Sequence, residues 1–511
     1  MSTQTATREA SDFSQNNGGL PPTIPDVDSV DVPAEIALAR QAQRAWWVRP
    51  LSERIAIIRR FRHSLPAHAR ELAAPIHPQR RSLAESLGAE VMPLADACKF
   101  VERIAPAVLK PVRLGWRFRP VWLYGVRSEI RREPFGVVLI IGPANYPLFL
   151  TASQALQGLV AGNAVIVKPG AGGGESMRIF AQLLVDAGLD PRLVRVLPET
   201  PKAAQQAIAT GVDKVLLTGS AKTGANVLSQ LAPRLIPAAV ELSGCDAVFV
   251  RPEADLDLVT RALGFGLRLN QSETCIAPRR VFVDRSRAPE LKQRLTALGA
   301  ELQNQIMTTP AAKIAAVRVR DALNHGAELV AGRILPDNQG LSPTVLANTS
   351  PELAIMREDT FAPVMSVVEV ADVEDALRLA AQCPYGLGAS IFGDSARALD
   401  LAQHVRSGSI TINDVIAPTA DPRLPFGGRG HSGFGVTRGA EGLLELTTVK
   451  VISVRHGNLN WHLDGPDPAD GPLFEAYLKA AHSPHWTTRL AGWFSFFRLM
   501  IRKMRTATKA E

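Results

Sequence analysis

The spacing of apolar and polar residues along the chain changes near Phe135. From Pro33 to about Leu109, apolar residues recur three or four positions apart with arginines between them, which predicts helices that cover another layer. After Phe135, short uninterrupted apolar runs alternate with stretches of helical spacing. Such runs are typical of parallel strands that are buried on both faces. The pattern therefore predicts an α/β protein built on doubly wound parallel sheet.

Polar residues follow the strands of the first alternating series. Its predicted strands are Val137–Ile141, Ala164–Val167, Leu193–Leu197, Lys214–Leu217 and Ala238–Leu242. The residues at or just after the strand ends include Asn145, Lys168, Gly219 and Glu241. Because ligands of such sheets bind beyond the carboxyl ends of the strands, these residues are candidates for one site. A second series runs from Val248 to about Ile412, with strand-like runs at Val281–Val283, Val364–Val370 and Ser409–Ile412.

Two further segments have patterns of their own. Val121–Arg132 is rich in aromatic and β-branched residues, which predicts an extended ribbon, with an ordinary surface hairpin as the alternative. Residues 1–32 are mostly polar and predict a disordered N-terminal arm.

Composition excludes several classes of protein. The chain has 511 residues, of which 46% are hydrophobic and 21% charged, as in a globular enzyme of two or three domains. Its four cysteines are widely spaced, so we predict no disulfide framework and no metal site. Without a secretory signal or an apolar run of about 18 residues, a cytoplasmic location is expected. The net charge of +8 comes from scattered basic residues outside any known nucleic-acid module, so no nucleic-acid partner is predicted.

Cys275 is the candidate nucleophile. It lies in the segment NQSETCIAPRRVFV, where polar residues precede it and Ala277-Pro278 is expected to interrupt the local structure before a strand begins. A thiol at such a junction can face a cleft. The alternative is a small core residue, which is the commoner fate of a single cysteine in an apolar setting.

The strand-end residues also have two interpretations each. Glu241 is either a general base with a raised pKa or part of a buried ion pair. Asn145 is either a turn residue or an amide donor to an oxyanion. Gly219–Gly224 is either a phosphate-binding turn or a glycine turn with a serine cap, and GAGGGE, starting at Gly170, is better explained as a flexible loop. Together, a thiol, a carboxylate, an amide and such a turn are typical of acyl chemistry with a nucleotide cofactor.

The ordered motifs resemble the aldehyde dehydrogenase superfamily over about Pro33 to Ser453. The matching segments are EPFGVVLIIGPANYP, VIVKPG, LLTGSAKTG, VELSG, NQSETCIAP, EDTFAPV and PFGGRGHSGFG. The resemblance implies two doubly wound parallel-sheet domains and a small β arm for oligomerisation. It assigns 33–118 and 135–242 to cofactor binding, 243–442 to catalysis, and 119–134 with 443–456 to the arm of a homodimer.

The resemblance also implies roles for individual residues. Cys275 would be the nucleophile, Glu241 the general base and Asn145 the oxyanion donor, with a thiohemiacetal and then a thioester on the cysteine. The implied contacts to NAD or NADP are Lys168, Gly219, Ser220, Gly224, Asp359 and Phe361. The implied substrate-pocket residues are Tyr146, Thr274 and Phe426.

Three departures from the family pattern bear on these roles. Ala171 stands where the family usually has a glutamate on the adenosine ribose, which favours NADP use. Asp359 replaces the usual glutamate on the nicotinamide ribose, which predicts a longer or water-mediated contact. Ser272 and Glu273 replace glycine and glutamine before the cysteine, and an inward-pointing Glu273 would raise the thiol pKa.

The extension 457–511 lies outside the family core. Its segment 486–509 combines an apolar stripe with basic residues, among them Arg498 and Arg502. This pattern predicts an amphipathic helix that either contacts a membrane surface peripherally or packs on its own subunit or a partner, where it could roof the substrate tunnel. Either arrangement suits an apolar aldehyde, fatty or aromatic, as substrate.

Two other functions remain open on the same fold. One is a CoA-acylating aldehyde dehydrogenase or acyl-thioester reductase, against which Glu241 argues because such an enzyme needs no hydrolytic base. The other is a non-catalytic, membrane-associated homologue, against which the presence of Asn145, Glu241 and Cys275 argues.

Overall fold

The structure is a computed structural model that describes residues 30–78, 81–457, 463, 465, 467 and 470–507, with side chains up to 503. Its helices are α1 Val32–Trp47, α2 Leu51–Ala73, α3 Leu83–Ser86, α4 Met92–Val108, α5 Phe149–Ala161, α6 Gly174–Asp186, α7 Pro201–Thr210, α8 Ala221–Leu231, α9 Leu256–Arg268, α10 Ala288–Leu302, α11 Pro310–Asn324, α12 Ala354–Arg357, α13 Val373–Ala380, α14 Ser395–Ala402, α15 Gly439–Glu445, α16 Gly471–His482 and α17 Trp486–Ala507. Its strands are β1 Val112–Arg113, β2 Val126–Pro134, β3 Val137–Ile141, β4 Ala164–Lys168, β5 Val194–Val196, β6 Lys214–Gly219, β7 Ala238–Leu242, β8 Asp246–Val250, β9 Pro278–Asp284, β10 Glu328–Ala331, β11 Thr344–Ala347, β12 Val364–Val370, β13 Tyr385–Gly386, β14 Gly388–Phe392, β15 Ser409–Ile412, β16 Arg429–Gly430, β17 Gly433–Phe434 and β18 Thr447–Arg455.

A six-stranded sheet carries the first alternating series. Its strand order is β17-β7-β6-β3-β4-β5, and it is parallel except for β17, which pairs antiparallel with β7. Every residue of β3 and of α5 is buried, which explains their continuous apolar sequence. The helices predicted before Phe135 cover this sheet, and the Trp46 indole of α1 donates to the Leu159 carbonyl of α5 over 2.8 Å.

A seven-stranded sheet carries the second series. Its order is β10-β11-β12-β9-β8-β14-β15, and only the edge strand β10 pairs antiparallel with its neighbour. Strand β9 begins at Pro278, directly after the interruption expected at Ala277-Pro278 and three residues before the predicted run Val281–Val283. A proline at the first position of a strand loses no required hydrogen bond. The two sheets confirm the predicted α/β class with parallel-sheet domains.

The described chain forms two compact units. The first contains the chain up to Val112 and Arg131–Lys450, and therefore both large sheets. The second contains Arg113–Ile130 and the chain from Val451, including α16 and α17. Strands β1, β2 and β18 form a three-stranded sheet.

The ribbon prediction holds only in part. The chain is extended from Val126 onward, but Val121–Leu123 forms a 3-10 turn, in which the Tyr124 amide donates to the Val121 carbonyl. Gly125 then takes a positive φ of 82°, which completes the turn before β2 begins.

The two ends of the chain lie partly outside the described residues. Of the N-terminal arm predicted for 1–32, residues 1–29 are outside, and α1 begins at Val32 with its first turn capped by the Asp31 side chain. The helix predicted for 486–509 is present as Trp486–Ala507. None of the helices among the described residues has the length and apolar character needed to span a membrane.

Candidate active site

The segment 269–277, which we call the Cys275 loop, has a strained backbone. Asn270, Gln271 and Ser272 have consecutive positive φ angles of 49°, 53° and 59°. Such angles cost roughly 1–2 kcal/mol for each residue that is not glycine. The buried Arg279 side chain holds the loop in place, since its guanidinium donates to the Ser272 hydroxyl over 2.9 Å and to the Ser272 carbonyl over 2.5 Å. Strain of this kind is concentrated at functional sites.

Asn145 lies against the Cys275 loop although 130 positions separate it from the cysteine. Its side-chain amide donates to the carbonyl oxygen of Glu273 over 3.0 Å. The Asn270 amide donates to the same oxygen over 3.1 Å and to the Asn145 carbonyl over 3.0 Å. The loop after β3 and the Cys275 loop are therefore fixed relative to each other.

A buried ion pair stabilises this contact between the two loops. Arg81 donates to Glu90 over 2.7 Å, and neither side chain is accessible to solvent. The second oxygen of Glu90 accepts from the amides of Leu148 and Phe149, so it caps α5, whose own N-cap residue provides no side-chain acceptor. Arg81 also donates to the Asn145 carbonyl over 2.6 Å.

Glu90 reaches this position from an irregular helix. Residues Leu87–Val91 form a π-helical turn between α3 and α4, a feature that often occurs at functional sites. Burial raises the pKa of Glu90 to about 7, while Arg81 and the two amides oppose the shift.

A cavity of about 370 Å³ lies next to the contact between these two loops. That volume is in the range of small-molecule sites. Its walls are mostly apolar, and they include Cys275, Glu241 and all three predicted pocket residues. The lining residues are Glu85, Gly88, Ala89, Pro93, Tyr146, Phe149, Leu150, Glu241, Phe265, Leu269, Thr274, Cys275, Ile276, Ile416, Ala417, Thr419, Ala420, Phe426 and Arg438. Tyr146 and Thr274 share a hydrogen bond of 2.8 Å between their hydroxyls.

Glu241 provides a carboxylate in this cavity from the end of β7. Its residue is only 3% exposed, and the Thr437 hydroxyl donates to its Oε2 over 3.2 Å. Burial raises the pKa of Glu241, while Arg438 and the Thr437 hydrogen bond oppose the shift. A raised pKa favours proton abstraction near neutral pH, as the sequence-based interpretation required.

The Cys275 thiol has a pKa well above its ordinary value. Burial is the main cause, and the negative charges of Glu241 and Asp246 add to it, whereas Arg438 opposes it. Glu273, which we expected to raise this pKa if its side chain pointed inward, is not among these main causes. Glu273 instead contributes its backbone carbonyl, which accepts from Asn145 and Asn270.

The predicted cofactor residues of the first sheet share one edge with Asn145 and Glu241, because β3, β4, β6 and β7 are parallel neighbours. Lys168 ends β4 and is half-buried, which lowers its pKa. Ser220 caps α8 by accepting from the Thr223 amide over 3.2 Å. Gly224 packs against Leu242, where a Cβ atom would lie 2.7 Å from a side-chain carbon. Gly219 ends β6 just before this turn.

Asp359 and Phe361 lie in the connection from α12 to β12. Asp359 is largely buried, which raises its pKa, while Ser243 and Arg279 oppose the shift. Its Oδ1 atom has no hydrogen-bond partner in the described part of the chain. Phe361 is half-buried.

Sequence reasoning missed Arg438. This residue has a φ of 63°, is 6% exposed and lines the cavity. Its guanidinium lies 4.5 Å from the Phe426 ring centre and 5.7 Å from that of Phe149, and Nη1 donates to the Thr419 carbonyl over 2.5 Å. Nε has no partner among the described residues. Nothing in the local sequence distinguishes it from a surface arginine.

Sequence reasoning also missed Glu199. Its carboxylate accepts from the amides of Gly172 and Gly174, each over 2.8 Å. The GAGGGE segment, predicted as a flexible loop, therefore becomes a turn that is pinned before α6 begins at Gly174. Glu199 is also the anion that raises the pKa of Lys168 against the effect of burial.

We expect alkylation of Cys275 by iodoacetamide in the cofactor-free protein to accelerate about tenfold per pH unit between pH 7 and 9, because only the thiolate reacts and the thiol pKa is raised. Glu241→Gln removes an anion that disfavours the thiolate, so this variant should react faster at each pH. Peptide mass spectrometry measures the rate at this cysteine, and Glu199→Gln is the control with unchanged kinetics. A rate that is already maximal and constant from pH 7 would contradict the prediction.

The chain is similar to known proteins of one family. The profile of the aldehyde dehydrogenase family matches residues 4–452. A succinate-semialdehyde dehydrogenase (NADP(+)) of Deinococcus radiodurans is 32% identical over 450 residues, which cover 84% of this chain and 91% of that protein. The structure of an NADP-dependent glyceraldehyde-3-phosphate dehydrogenase from Bacillus halodurans C-125, complexed with NADP, superposes with a TM-score of 0.77 at 29% identity and covers 84% of this chain and 91% of its own.

A second solved structure agrees. An NAD-dependent aldehyde dehydrogenase from Sinorhizobium meliloti has a TM-score of 0.77 at 27% identity, over 86% of this chain and 88% of its own. These matches confirm the resemblance read from the sequence motifs, and the chain belongs to the aldehyde dehydrogenase family.

Proposed function

We propose that the protein oxidises an apolar aldehyde to the carboxylic acid, with NADP as the favoured cofactor and Cys275 as the nucleophile. The observation that carries the proposal is the cavity that both Cys275 and Glu241 line. Next to it, the Asn145 amide is held against the Cys275 loop. A sulfur and a carboxylate in one cavity wall, with an amide held against the loop that carries the sulfur, match the needs of acyl transfer.

The proposed reaction has two halves. In the first, the Cys275 thiolate adds to the aldehyde carbon, and the Asn145 amide stabilises the negative oxygen. A bound nicotinamide would accept the hydride, and a thioester would then remain on Cys275. In the second half, Glu241 removes a proton from water, which attacks the thioester and releases the acid and the thiolate.

The chain offers suitable groups for a nicotinamide dinucleotide. The free amides at the start of α8, together with Ser220 and Lys168, suit phosphate and ribose oxygens. The buried Oδ1 of Asp359 has no hydrogen-bond partner among the residues that the structure describes, as expected of an acceptor for a ribose hydroxyl. Gly224 permits close approach of α8 to β7.

The proposed preference for NADP rests on residue 171. Alanine at this position places no charge opposite a 2′-phosphate, and the relative from Deinococcus radiodurans carries NADP(+) in its name. Glu199 acts in the opposite direction, because its carboxylate lies at the same 170–174 turn. Its charge is partly offset by Lys168 and by the two amides that it accepts from.

The apolar substrate class rests on the cavity lining. Phe149, Phe265, Ile276, Ile416 and Phe426 form much of the wall. Burial of each methylene of an aldehyde there contributes about 0.8 kcal/mol. Glu85 adds a negative charge to the lining, which disfavours an acidic substrate.

A second candidate substrate is a short aldehyde that carries a carboxylate. The specific observation in its favour is Arg438, a buried cation in the cavity wall whose Nε has no partner within the described part of the chain. The name of the relative from Deinococcus radiodurans, a succinate-semialdehyde dehydrogenase, points in the same direction.

We also propose the domain and assembly scheme that the family resemblance implies. The six-stranded sheet would bind the cofactor and the seven-stranded sheet would support catalysis. The arm, built on β2 and β18, would join two copies into a homodimer. Exposed valines on β18, namely Val449, Val451 and Val454, support a role in contact with another chain.

Glu241→Gln is expected to separate the two halves of the reaction. Steady-state turnover should fall about 10²–10⁴-fold, because the variant lacks the base for hydrolysis. One equivalent of reduced cofactor should still form rapidly, and intact-protein mass spectrometry should detect an acyl group on Cys275. Cys275→Ser is the control that gives neither. Turnover of the variant at the wild-type rate would refute the role of Glu241, and a CoA ester as the wild-type product would favour the CoA-acylating alternative.

Ala171→Glu is expected to lower the ratio of kcat/KM for NADP to that for NAD at least tenfold, which corresponds to about 1.4 kcal/mol, through repulsion of the 2′-phosphate. Glu199→Gln should raise the same ratio, because it removes a carboxylate from the same turn. Steady-state kinetics with one aldehyde measures both. A wild-type preference for NAD that neither substitution changes would exclude the proposed determinants.

Chain length is expected to distinguish the two substrate classes. From propanal to octanal, kcat/KM should rise about fourfold per methylene until the cavity is filled, in line with about 0.8 kcal/mol per buried methylene. If succinate semialdehyde is instead preferred, and Arg438→Met raises its KM far more than that of hexanal, the second candidate is correct and the apolar proposal is wrong.

A further inference from the structure

The helices α16 and α17 form a C-terminal hairpin that is held together by contacts between aromatic rings of both helices. Tyr477 of α16 contacts the rings of Trp493 and Phe496 at 6.3 and 5.6 Å between centres. Gly492 permits the closest approach, since a Cβ atom there would lie 2.5 Å from the Ala480 backbone nitrogen. The hairpin therefore uses one side of α17 to hold itself together.

A different side of α17 carries an apolar stripe that this packing leaves open. The stripe consists of Trp486, Leu490, Phe494, Phe497 and Ile501, which are spaced by three or four positions and so lie on one face of the helix. Each is between 45% and 73% exposed. On α16, Phe474 and Leu478 are exposed as well. Contiguous exposed apolar area of this kind marks an interaction surface.

The charge of α17 has a single sign. Between Trp486 and Ala507 the sequence contains Arg489, Arg498, Arg502, Lys503 and Arg505 and neither Asp nor Glu. Lys503 is paired with Asp470, and Arg489 donates to the Ala480 carbonyl. Arg498 and Arg502 are exposed, and each follows a stripe residue by one position, which places them on the flank of the stripe.

A second segment of the same compact unit also combines exposed aromatic rings with arginines. In 113–127, the side chains of Trp116, Phe118, Trp122 and Tyr124 are 63% to 91% exposed. The same segment contains four arginines and no acidic residue. Two of these arginines stack on exposed rings, with Arg117 over Phe118 at 5.0 Å and Arg119 over Tyr124 at 5.9 Å. Two independent stretches of the unit therefore combine exposed aromatic rings with positive charge.

We propose that the stripe of α17 and its flanking arginines bind the surface of an anionic lipid bilayer, with the helix lying parallel to the membrane. Aromatic residues favour the boundary between lipid headgroups and acyl chains, and basic residues are attracted to anionic headgroups. At 1.5 Å per residue, α17 offers about 33 Å of contact along the surface. A two-fold contact between α17 and the same helix of a second copy is disfavoured, because α17 has no acidic residue to pair with these arginines.

Co-flotation with vesicles tests the proposal on the full chain. We expect flotation with vesicles of phosphatidylcholine and phosphatidylglycerol, and much less with phosphatidylcholine alone. Binding should weaken as salt rises from 0.1 M to 1 M, because the screening length falls from about 10 to about 3 Å. Arg498→Gln should weaken it roughly fivefold, the effect of one cation near an anionic surface.

The double substitution Phe494→Ser with Phe497→Ser should reduce flotation at least tenfold. Leu399→Ser is the matched control, because it removes an equally exposed apolar residue from α14, in the other unit, and should leave flotation unchanged. Circular dichroism and aldehyde oxidation in solution should be the same for all three proteins, so failure of this proposal is distinguishable from failure of the proposed reaction.

Three outcomes would overturn the proposal. They are absence of flotation with anionic vesicles, equal flotation of the double variant and the wild type, and self-association that the double variant abolishes while vesicles have no effect. The last would identify a second copy of the chain as the occupant of the stripe.

Discussion

The buried ion pair between Arg81 and Glu90 is the interaction on which the site depends most. Two charges without solvent are expensive unless every remaining donor and acceptor is satisfied. Here the remaining groups are satisfied by the start of α5, by the Asn145 carbonyl and by Asn270. The pair therefore fixes the positions of the two loops that meet next to the cavity, although burying both charges is costly. Arg279 applies a similar constraint to the Cys275 loop from the other sheet.

The cavity above this junction combines an apolar lining with a few charges. Burial raises the pKa of both Glu241 and Cys275, and the charge of Glu241 further disfavours ionisation of Cys275. Arg438 opposes both shifts, and its own burial is eased by the rings of Phe149 and Phe426. The reactive groups are therefore coupled, and a change in the charge of one alters the proton affinity of the others.

Much of the fold was predictable from the sequence because buried parallel strands appear there as short uninterrupted apolar runs. Ala238–Leu242 and Val364–Val370 were predicted with the bounds that the structure has. The signal failed where backbone conformation depends on local turn geometry, as in the 3-10 turn at Val121–Leu123. It also placed the start of β9 too late, at Val281 instead of Pro278, because the sequence does not show that this proline is tolerated as the first residue of the strand.

The candidate site was predictable to the extent that its residues stand at strand ends. Asn145 and Glu241 were found in this way, and Cys275 by the polar residues before it. Arg438 and Glu199 were not found, because their significance comes from what folds around them. Only the meeting of α5, the 417–420 turn and Phe426 makes Arg438 a buried cation. The spacing of apolar residues indicates which face of a helix or strand is buried. It does not indicate which charged side chain is buried against that face.

The separation of the chain into two units bears on how an apolar substrate would be handled. The cavity is built entirely from residues of the first unit, whereas the exposed aromatic and basic segments belong to the second. Because apolar aldehydes partition into lipid, a chain that carries its own surface-binding element would meet such substrates at a higher local concentration than in water. On these two proposals, the chemistry would depend on residues of the first unit and the approach of a lipid-soluble substrate on residues of the second.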